Sequence, residues 1–174
     1  MQQAEQDLLV IAAQSGNHKA FNLLFLTYQK PLVGFAYKIC GDQEMAKDAV
    51  QDSWMKSTKT LRRLKDPRAF KSWIYRLVRW RTTDLIRQKV SRKELDETDL
   101  DAQVETITPE TSSDDTTELN NAINQLPPIE KQMIHLFYLD EMKLTEISAV
   151  LEIPKGTVKS RLNRARNLLK QKFE

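Results

Sequence analysis

The feature that most constrains this chain is a pair of helical patterns over residues 144–171, separated by a short break. Apolar residues recur at helical spacing before Ile153-Pro154 and again after it. Proline suits the first turn of a helix, because its missing N–H is not needed there. In the second pattern the apolar face is formed by Val158, Leu162, Ala165 and Leu169. The stretch therefore predicts a helix, a tight turn and a second helix.

The opposite face of that second helix is short, polar and cationic. It carries Gly156, Lys159, Ser160, Asn163 and Arg164, with Arg161 on its flank. A helix that enters the major groove of DNA needs a face of this kind. The same pattern also fits the solvated face of an ordinary helical hairpin.

Composition narrows the class of protein. The chain of 174 residues has 40% hydrophobic residues and four glycines, which favours helices and allows a core. We find no apolar run of about 18 residues and no secretory signal pattern at the start, so we predict a cytoplasmic protein without membrane insertion. The lone Cys40 excludes an internal disulfide, and His18 and His135 lack partner cysteines. We therefore expect no metal site and no cofactor.

Charge is distributed in three blocks. Residues 1–93 hold 18 Lys/Arg and 8 Asp/Glu, residues 94–130 hold 11 acidic residues and no Lys/Arg, and residues 131–174 hold 9 Lys/Arg and 5 Asp/Glu. Two basic blocks separated by an acidic one indicate two modules that meet nucleic acid. The acidic, Thr/Ser-rich stretch over residues 94–118 has no sustained period and predicts an extended or disordered linker.

The first basic block predicts four helices. The first covers residues 5–14, and the second covers residues 18–40 with a kink or a division at Pro31. The third carries an acidic and amide patch of Asp48, Gln51 and Asp52. On a basic domain this patch is either an ordinary solvated face or a docking site for a basic protein partner.

A basic loop with Arg62, Arg63, Lys65 and Arg68 precedes the fourth helix, which we predict over residues 70–92. A contiguous stripe on this helix consists of Arg76, Trp80, Thr83 and Arg87, with Tyr75 and Arg79 on the adjoining exposed side. Cations interleaved with aromatic rings can hold phosphates and stack on unpaired bases. The alternative is that the aromatic residues are core and the arginines solubilise them.

Together these pieces resemble a bacterial RNA polymerase sigma factor of the extracytoplasmic-function (ECF) group. The phrases LPP, GTVKSRL and RAR occur at the family's separations, and the resemblance covers nearly the whole chain. It implies an all-α fold of two small helical domains. Residues 1–93 would form the region that docks on polymerase and reads the −10 element, residues 94–118 an acidic linker, and residues 119–174 the domain that reads the −35 element.

The resemblance also implies roles for residues. Asp48, Gln51 and Asp52 match the polymerase-docking pattern, and the basic loop and the stripe, together with Arg79, fall in the −10 segment. In the −35 segment, Lys159, Ser160, Asn163 and Arg164 are the expected base contacts, with Gly156 on the same face. The expected phosphate contacts there are Lys155, Thr157 and Arg161.

The partners implied by the resemblance are promoter DNA and core RNA polymerase, through the clamp of the beta-prime subunit and the flap of the beta subunit. An anti-sigma factor is a further candidate, because many members of the family are held by one. Three positions depart from the family pattern: Trp80 stands where a small polar residue is usual, Glu152 stands where the turn usually has glycine, and Ser148 stands where alanine is usual at the helix crossing.

Two other classes of function were weighed. A stand-alone helix-turn-helix regulator with an N-terminal sensing or dimerisation domain explains the second block, but it explains neither the docking patch nor the cationic and aromatic helix. An enzyme is not expected, because the sequence has no His/Cys/carboxylate cluster, Gly-rich phosphate loop or nucleophile elbow.

Overall fold

The computed structural model describes residues 1–95 and 114–174, and all regular elements in these ranges are helical. The N-terminal domain consists of α1 (Gln3–Gln14), α2 (His18–Cys40), α3 (Gln43–Thr60) and α4 (Phe70–Leu95). The C-terminal domain consists of α5 (Asp114–Asn124), α6 (Pro128–Ile134), α7 (Leu144–Leu151) and α8 (Lys155–Phe173). The prediction of an all-α chain with two helical domains is confirmed.

Local capping sets where the helices of the N-terminal domain begin. The side chains of Asn17 and Asp42 accept hydrogen bonds from the backbone N–H groups of Ala20 (3.1 Å) and Met45 (3.0 Å). Gly41 ends α2 in the left-handed conformation at φ 67°, which glycine adopts without steric cost.

Apolar faces of α2, α3 and α4 meet in the core of this domain. An aromatic cluster at its centre places Trp54 within 5.7 Å of Phe21 and 6.5 Å of Phe70, measured between ring centroids. Most of the core positions that the apolar stripes predict on the third and fourth helices are buried: Ala46, Ala49, Val50, Trp54, Leu61, Phe70, Ile74, Leu77 and Val78. Trp73 and Leu85, predicted on the same face of the fourth helix, are half-buried.

Two local details differ from what the sequence suggested. Of the two alternatives predicted for Pro31, a kink or a division, the division does not occur: α2 runs continuously from His18 to Cys40, and the flanking Tyr28, Leu32 and Phe35 are buried. A proline removes one hydrogen bond and adds one clash, which packing on both sides can outweigh. Tyr75 was expected to be exposed, yet its exposure is 1%: its ring lies 5.4 Å from that of Phe35 in α2, and Asp140 of the C-terminal domain is close to its hydroxyl.

Helices extend further into residues 94–118 than predicted. The expected linker is helical at residues 94–95, within α4, and at residues 114–118, within α5. The apolar period of Leu119, Ile123 and Leu126 predicts a helix only from Leu119 onward, because the polar first turn of α5 carries no such signal. The remainder of that segment lies outside the described residues.

The C-terminal domain contains the predicted helix-turn-helix in α7 and α8. Its turn is formed by Glu152, which adopts a left-handed conformation at φ 57° and ψ 41°. Ser148 stabilises the turn, because its hydroxyl donates a hydrogen bond of 2.6 Å to the carbonyl oxygen of Ile153. A π-helical turn, His135–Leu139, links α6 to the segment that leads into α7.

The two domains pack against each other. Helix α4 lies against α7, and α2 lies against α6 and the π-helical turn. Their buried apolar residues form one continuous cluster, from Val10 in α1 to Ala165 in α8. Within the described ranges, no helix is long and apolar enough to cross a membrane.

Candidate polymerase and promoter interfaces

The acidic patch on α3 is divided by the structure. Asp48 and Gln51 are exposed, whereas Asp52 is half-buried and forms an ion pair of 2.7 Å with the Nε of Arg81 on α4. Asp48 and Gln51 therefore present a carboxylate and an amide to solvent, while Asp52 also joins two helices. The sequence analysis did not single out Arg81. Its position as a basic residue on α4, the helix that packs against α3, could have indicated a pair with the acidic patch.

The stripe on α4 centres on Trp80. This side chain is 41% exposed, and the guanidinium carbon of Arg76 lies 5.2 Å from its ring centroid. Such a stacked cation can hold the indole ring in place. The Thr83 hydroxyl is turned back to the Arg79 carbonyl oxygen (2.8 Å), and Arg87 is an exposed cation 4.0 Å from Asp84.

Arg79 has a different environment from the rest of the stripe. Its Nε donates a hydrogen bond of 3.0 Å to Oε1 of Gln132 in the C-terminal domain. Burial lowers the pKa of the Arg79 guanidinium, and the nearby Glu152 carboxylate acts in the opposite direction. Arg79 is therefore committed to a contact between domains in this structure.

A groove of about 470 Å³ lies between α3, α4 and the turn of the helix-turn-helix. Its cationic and aromatic side chains include Arg79, Trp80, Arg81 and Arg87 of α4. Asp52, Asp84 and Glu152 supply acidic groups. The residues predicted for the −10 segment that line it are Arg79, Trp80, Thr83 and Arg87. Sequence reasoning placed Glu152 in the turn and did not anticipate that it reaches this groove.

The basic loop before α4 lies on the surface and is held by α1. The Gln14 amide donates hydrogen bonds to the carbonyl oxygens of Leu61 (3.0 Å) and Leu64 (2.7 Å). Arg68 is paired with Asp66 at 3.0 Å, and hydrogen bonds from Arg68 lower the pKa of the Asp66 carboxyl. The remaining cations predicted for this loop are exposed: Arg62, Arg63 and Lys65.

The predicted −35 face lies on the exterior of α8. Seven of its predicted residues are exposed, and Thr157 is half-buried; the exposed ones are Lys155, Gly156, Lys159, Ser160, Arg161, Asn163 and Arg164. Nothing lies within 4 Å of a side-chain carbon built on Gly156, so the start of the helix is open to a close approach. Arg161 also lies 3.9 Å from the buried Glu130 carboxylate of its own domain.

Arg166 is a residue of this region that the sequence reasoning did not single out. Its Nη1 donates to the Asn163 side chain at 3.1 Å, and its Nε donates to the Tyr138 hydroxyl at 2.7 Å. Its guanidinium also lies over the Phe137 ring at 5.2 Å. Arg166 thus orients Asn163 on the exposed face.

Comparison with known proteins agrees with this arrangement. The chain matches the family described as Sigma-70 region 2 over residues 24–92 and that described as Sigma-70, region 4 over residues 116–169. It is 30% identical to the ECF RNA polymerase sigma-E factor of Salmonella typhimurium over 185 aligned positions, covering 99% of this chain and 96% of that protein. The chain belongs to the ECF sigma factors.

Other relatives have the same extent. The ECF RNA polymerase sigma factor SigW of Bacillus subtilis is 29% identical, with 92% of each chain covered. In the solved complex of the sigma factor RpoE with the anti-sigma factor NepR from Bartonella quintana, the sigma chain has the same fold (TM-score 0.73, 24% identity) over 88% of this chain and 96% of that one. CnrH, solved with the cytosolic domain of CnrY, has a TM-score of 0.71 at 24% identity and covers 97% of this chain and 96% of that chain.

This ECF sigma factor directs the initiation of transcription by RNA polymerase. The stand-alone regulator is not favoured, because both sigma regions match and the similarity extends over nearly the whole chain. Within the described ranges, no group of three His, Cys, Asp or Glu side chains could hold a metal ion.

Proposed function

We propose that this ECF sigma factor docks on core polymerase through the exposed face of α3. The supporting observation is that Asp48 and Gln51 point to solvent on the domain that carries the larger positive charge. A carboxylate there repels DNA phosphate and attracts a basic protein surface. The partner surface is the clamp of the beta-prime subunit, and the C-terminal domain contacts the flap of the beta subunit.

The −10 element is bound by α4 and the loop before it. Trp80, stacked under Arg76, offers an aromatic face to an unpaired base, and base stacking contributes roughly 1–3 kcal/mol per base. Arg87 and the exposed loop cations Arg62, Arg63 and Lys65 supply phosphate contacts beside it. DNA melting follows from holding the unpaired strand more tightly than the duplex.

The −35 element is read by α8. Lys159, Ser160, Asn163 and Arg164 contact base edges from the exposed face, and Lys155, Thr157 and Arg161 contact phosphates on either side of it. The exposed, cationic second helix of a helix-turn-helix is the observation that carries the proposed function. This helix lets the sigma factor bind duplex DNA, and binding requires no catalytic side chain.

Two further proposals concern a regulatory partner of the protein and the compartment in which it acts. Relatives of this fold have been solved with the anti-sigma factor NepR and with the cytosolic domain of CnrY, which supports an anti-sigma partner for this chain as well. Its place of action is the cytoplasm, where core polymerase and promoter DNA are found.

The deciding experiment is a gel shift combined with transcription in vitro. We expect weak binding of a promoter duplex by the sigma factor alone, and tight binding and transcript formation once core polymerase is added. Promoters with the −35 or the −10 element scrambled serve as matched controls. Tight duplex binding without core, unchanged by its addition, would instead indicate a stand-alone regulator.

A further inference from the structure

Arg166 on α8 is held in one orientation by three side chains. Its Nε donates a hydrogen bond of 2.7 Å to the Tyr138 hydroxyl, and its guanidinium lies 5.2 Å from the Phe137 ring centroid and 5.7 Å from that of Tyr138. The third side chain is Asn163, one turn earlier on α8, whose amide oxygen accepts a hydrogen bond of 3.1 Å from Nη1. Because a planar guanidinium stacked on aromatic rings is already ordered, it can hold a neighbouring side chain at little further entropic cost.

The two aromatic rings reach Arg166 from the π-helical turn that follows α6. This turn is closed by a hydrogen bond of 3.2 Å from the Asp140 N–H to the His135 carbonyl oxygen, one residue further along the chain than in an α-helix. Phe137 and Tyr138 are neighbours in the sequence, and their rings meet edge to face with centroids 4.9 Å apart. Both rings contact the same guanidinium, so Arg166 is anchored to an element other than its own helix.

The hydrogen bond from Arg166 determines which way the side-chain amide of Asn163 faces. A guanidinium has only N–H donors, so the atom of Asn163 that it meets is the amide oxygen. The amide nitrogen lies on the other branch of the same group, away from Arg166, and the Asn163 side chain is exposed on the proposed −35 face. Asn163 therefore offers DNA two N–H donors, while its acceptor is turned toward the half-buried arginine of its own helix.

Guanine and adenine differ in what such an amide meets in the major groove. Guanine presents two acceptors, N7 and O6, whereas adenine presents one acceptor, N7, and an amino group at N6, which donates. Asparagine pairs with adenine when its oxygen and its nitrogen lie side by side along the base edge. With the oxygen turned toward Arg166, only the nitrogen of Asn163 reaches the edge. Its N–H groups match the two acceptors of guanine and oppose the amino group of adenine.

We propose that Arg166 determines the base specificity of α8 at one base pair of the −35 element, where it makes Asn163 select guanine over adenine. Arg166 acts through Asn163 and does not touch the base, so it is a positioning residue. The inference rests on the proposed reading of the −35 element by α8. The alternative is that Arg166 is a further phosphate contact, which would strengthen binding to every sequence about equally and leave the base preference unchanged.

The test uses the full chain assembled with core polymerase, which transcribes a promoter library with all four base pairs at each position of the −35 element. The measured quantity is the ratio of transcript from templates with guanine and with adenine at the same position of the same strand. This ratio is compared among the wild type, Asn163→Ala, Arg166→Met and Tyr138→Phe. Lys170→Met is the matched control, because it removes an exposed cation of α8 that pairs with Glu174.

We expect one position at which the wild type favours guanine over adenine by roughly tenfold, within the range of a single base contact. Asn163→Ala should abolish this preference, and Arg166→Met should reverse it toward adenine at that position alone. Tyr138→Phe removes only the hydroxyl that accepts from Nε of Arg166, so it should reduce the preference while the helical content is unchanged. Lys170→Met should keep the preference of the wild type at every position.

Three results would overturn the inference. One is an equal loss of transcription from all templates in Arg166→Met and Tyr138→Phe with the guanine preference kept, which indicates a phosphate contact. The others are a preference for adenine at the position that Asn163→Ala affects, and no affected position at all. If Arg166→Met loses helical content, Tyr138→Phe decides. Failure of the proposed −35 reading is recognised in the wild type alone, as equal transcription with intact and scrambled −35 elements.

Discussion

Arg81 and Asp52 form an ion pair of 2.7 Å that joins α4 to α3 beside the proposed docking face. Their side chains are 35% and 42% exposed, so water screens the pair and its contribution to stability is about 1 kcal/mol or less. Asp48, one helical turn earlier, is exposed and has no ion pair within the described ranges. Substitution of Asp52 would therefore remove an ion pair between two helices, whereas substitution of Asp48 would not.

Charge reversal separates the roles of these two acids. Asp48→Lys should weaken binding to core polymerase at least tenfold with no change in the midpoint of urea unfolding, because its carboxylate meets only solvent. Asp52→Lys should weaken core binding and also lower the free energy of unfolding by about 1 kcal/mol, because it places a second cation beside Arg81. Fluorescence anisotropy with labelled core and urea titrations measure the two effects. If Asp48→Lys and the wild type bound core polymerase with equal affinity, the proposed docking face on α3 would be wrong.

Arg164 tests the −35 face. Arg164→Ala should reduce transcription from a promoter that depends on its −35 element roughly tenfold or more, since a base-specific contact contributes about 1–3 kcal/mol. Lys170→Ala is the matched control, because Lys170 lies further along α8 and pairs with Glu174. Core affinity should be unchanged in both variants. If the two alanine variants lost activity equally, general electrostatics rather than base reading would be the explanation.

Ser148 tests how the turn of the helix-turn-helix is stabilised. Ser148→Ala should lower the free energy of unfolding by about 1 kcal/mol, because it removes the hydrogen bond to the partly buried Ile153 carbonyl. Ser160→Ala is the control, since its hydroxyl bonds an exposed carbonyl within α8. Urea unfolding followed by circular dichroism measures both. No difference between the two variants would show that water replaces the Ser148 hydroxyl.

Asp42 gives a prediction for pH. The hydrogen bond from the Met45 N–H, together with Lys89 at 3.5 Å, lowers the pKa of the Asp42 carboxyl in the folded protein. A lowered folded pKa means that the ionised cap stabilises the protein above the unfolded value of about 3.9 and that this stabilisation is lost as the pH falls through the folded pKa.

The comparison variant for this prediction is Asp42→Asn, which keeps a capping oxygen but does not titrate. The stability advantage of the wild type over Asp42→Asn should be constant from about pH 7 to 5 and should shrink below about pH 4. Urea unfolding of both proteins across this range measures the difference. A constant difference down to about pH 2 would mean that the Asp42 carboxyl has the same pKa in the folded and unfolded protein, so that the cap does not lower it.

Much of the fold follows from local patterns in the sequence. The apolar stripes of α2, α3, α4 and α8 correctly predicted buried positions, because a helix that packs on one side must repeat its core residues at helical spacing. The left-handed turn at Glu152 could be anticipated from the glycine usual there. Pro31 does not divide α2, because its penalty is local and is outweighed by packing with residues distant in the sequence.

The interface between the two domains could not be predicted by the same means. Tyr75 was assigned to an exposed side of α4, yet it packs against Phe35 of α2 and lies close to Asp140 of the C-terminal domain. Gln132 and Asp140 carry no pattern that indicates a partner on α4, since hydrogen bonds between distant segments leave no period in the sequence. Trp80 and Glu152 were each recognised as unusual, and only the three-dimensional structure shows that they touch.

The covalent connection between Leu95 and Asp114 strengthens the interface between the two domains in a way that its contacts alone would not. Covalent attachment keeps the two faces at an effective concentration of about millimolar, so a pairing too weak to form between separate proteins at micromolar concentration can still be occupied within one chain. A detached C-terminal domain would compete poorly for α4 until it approached that concentration.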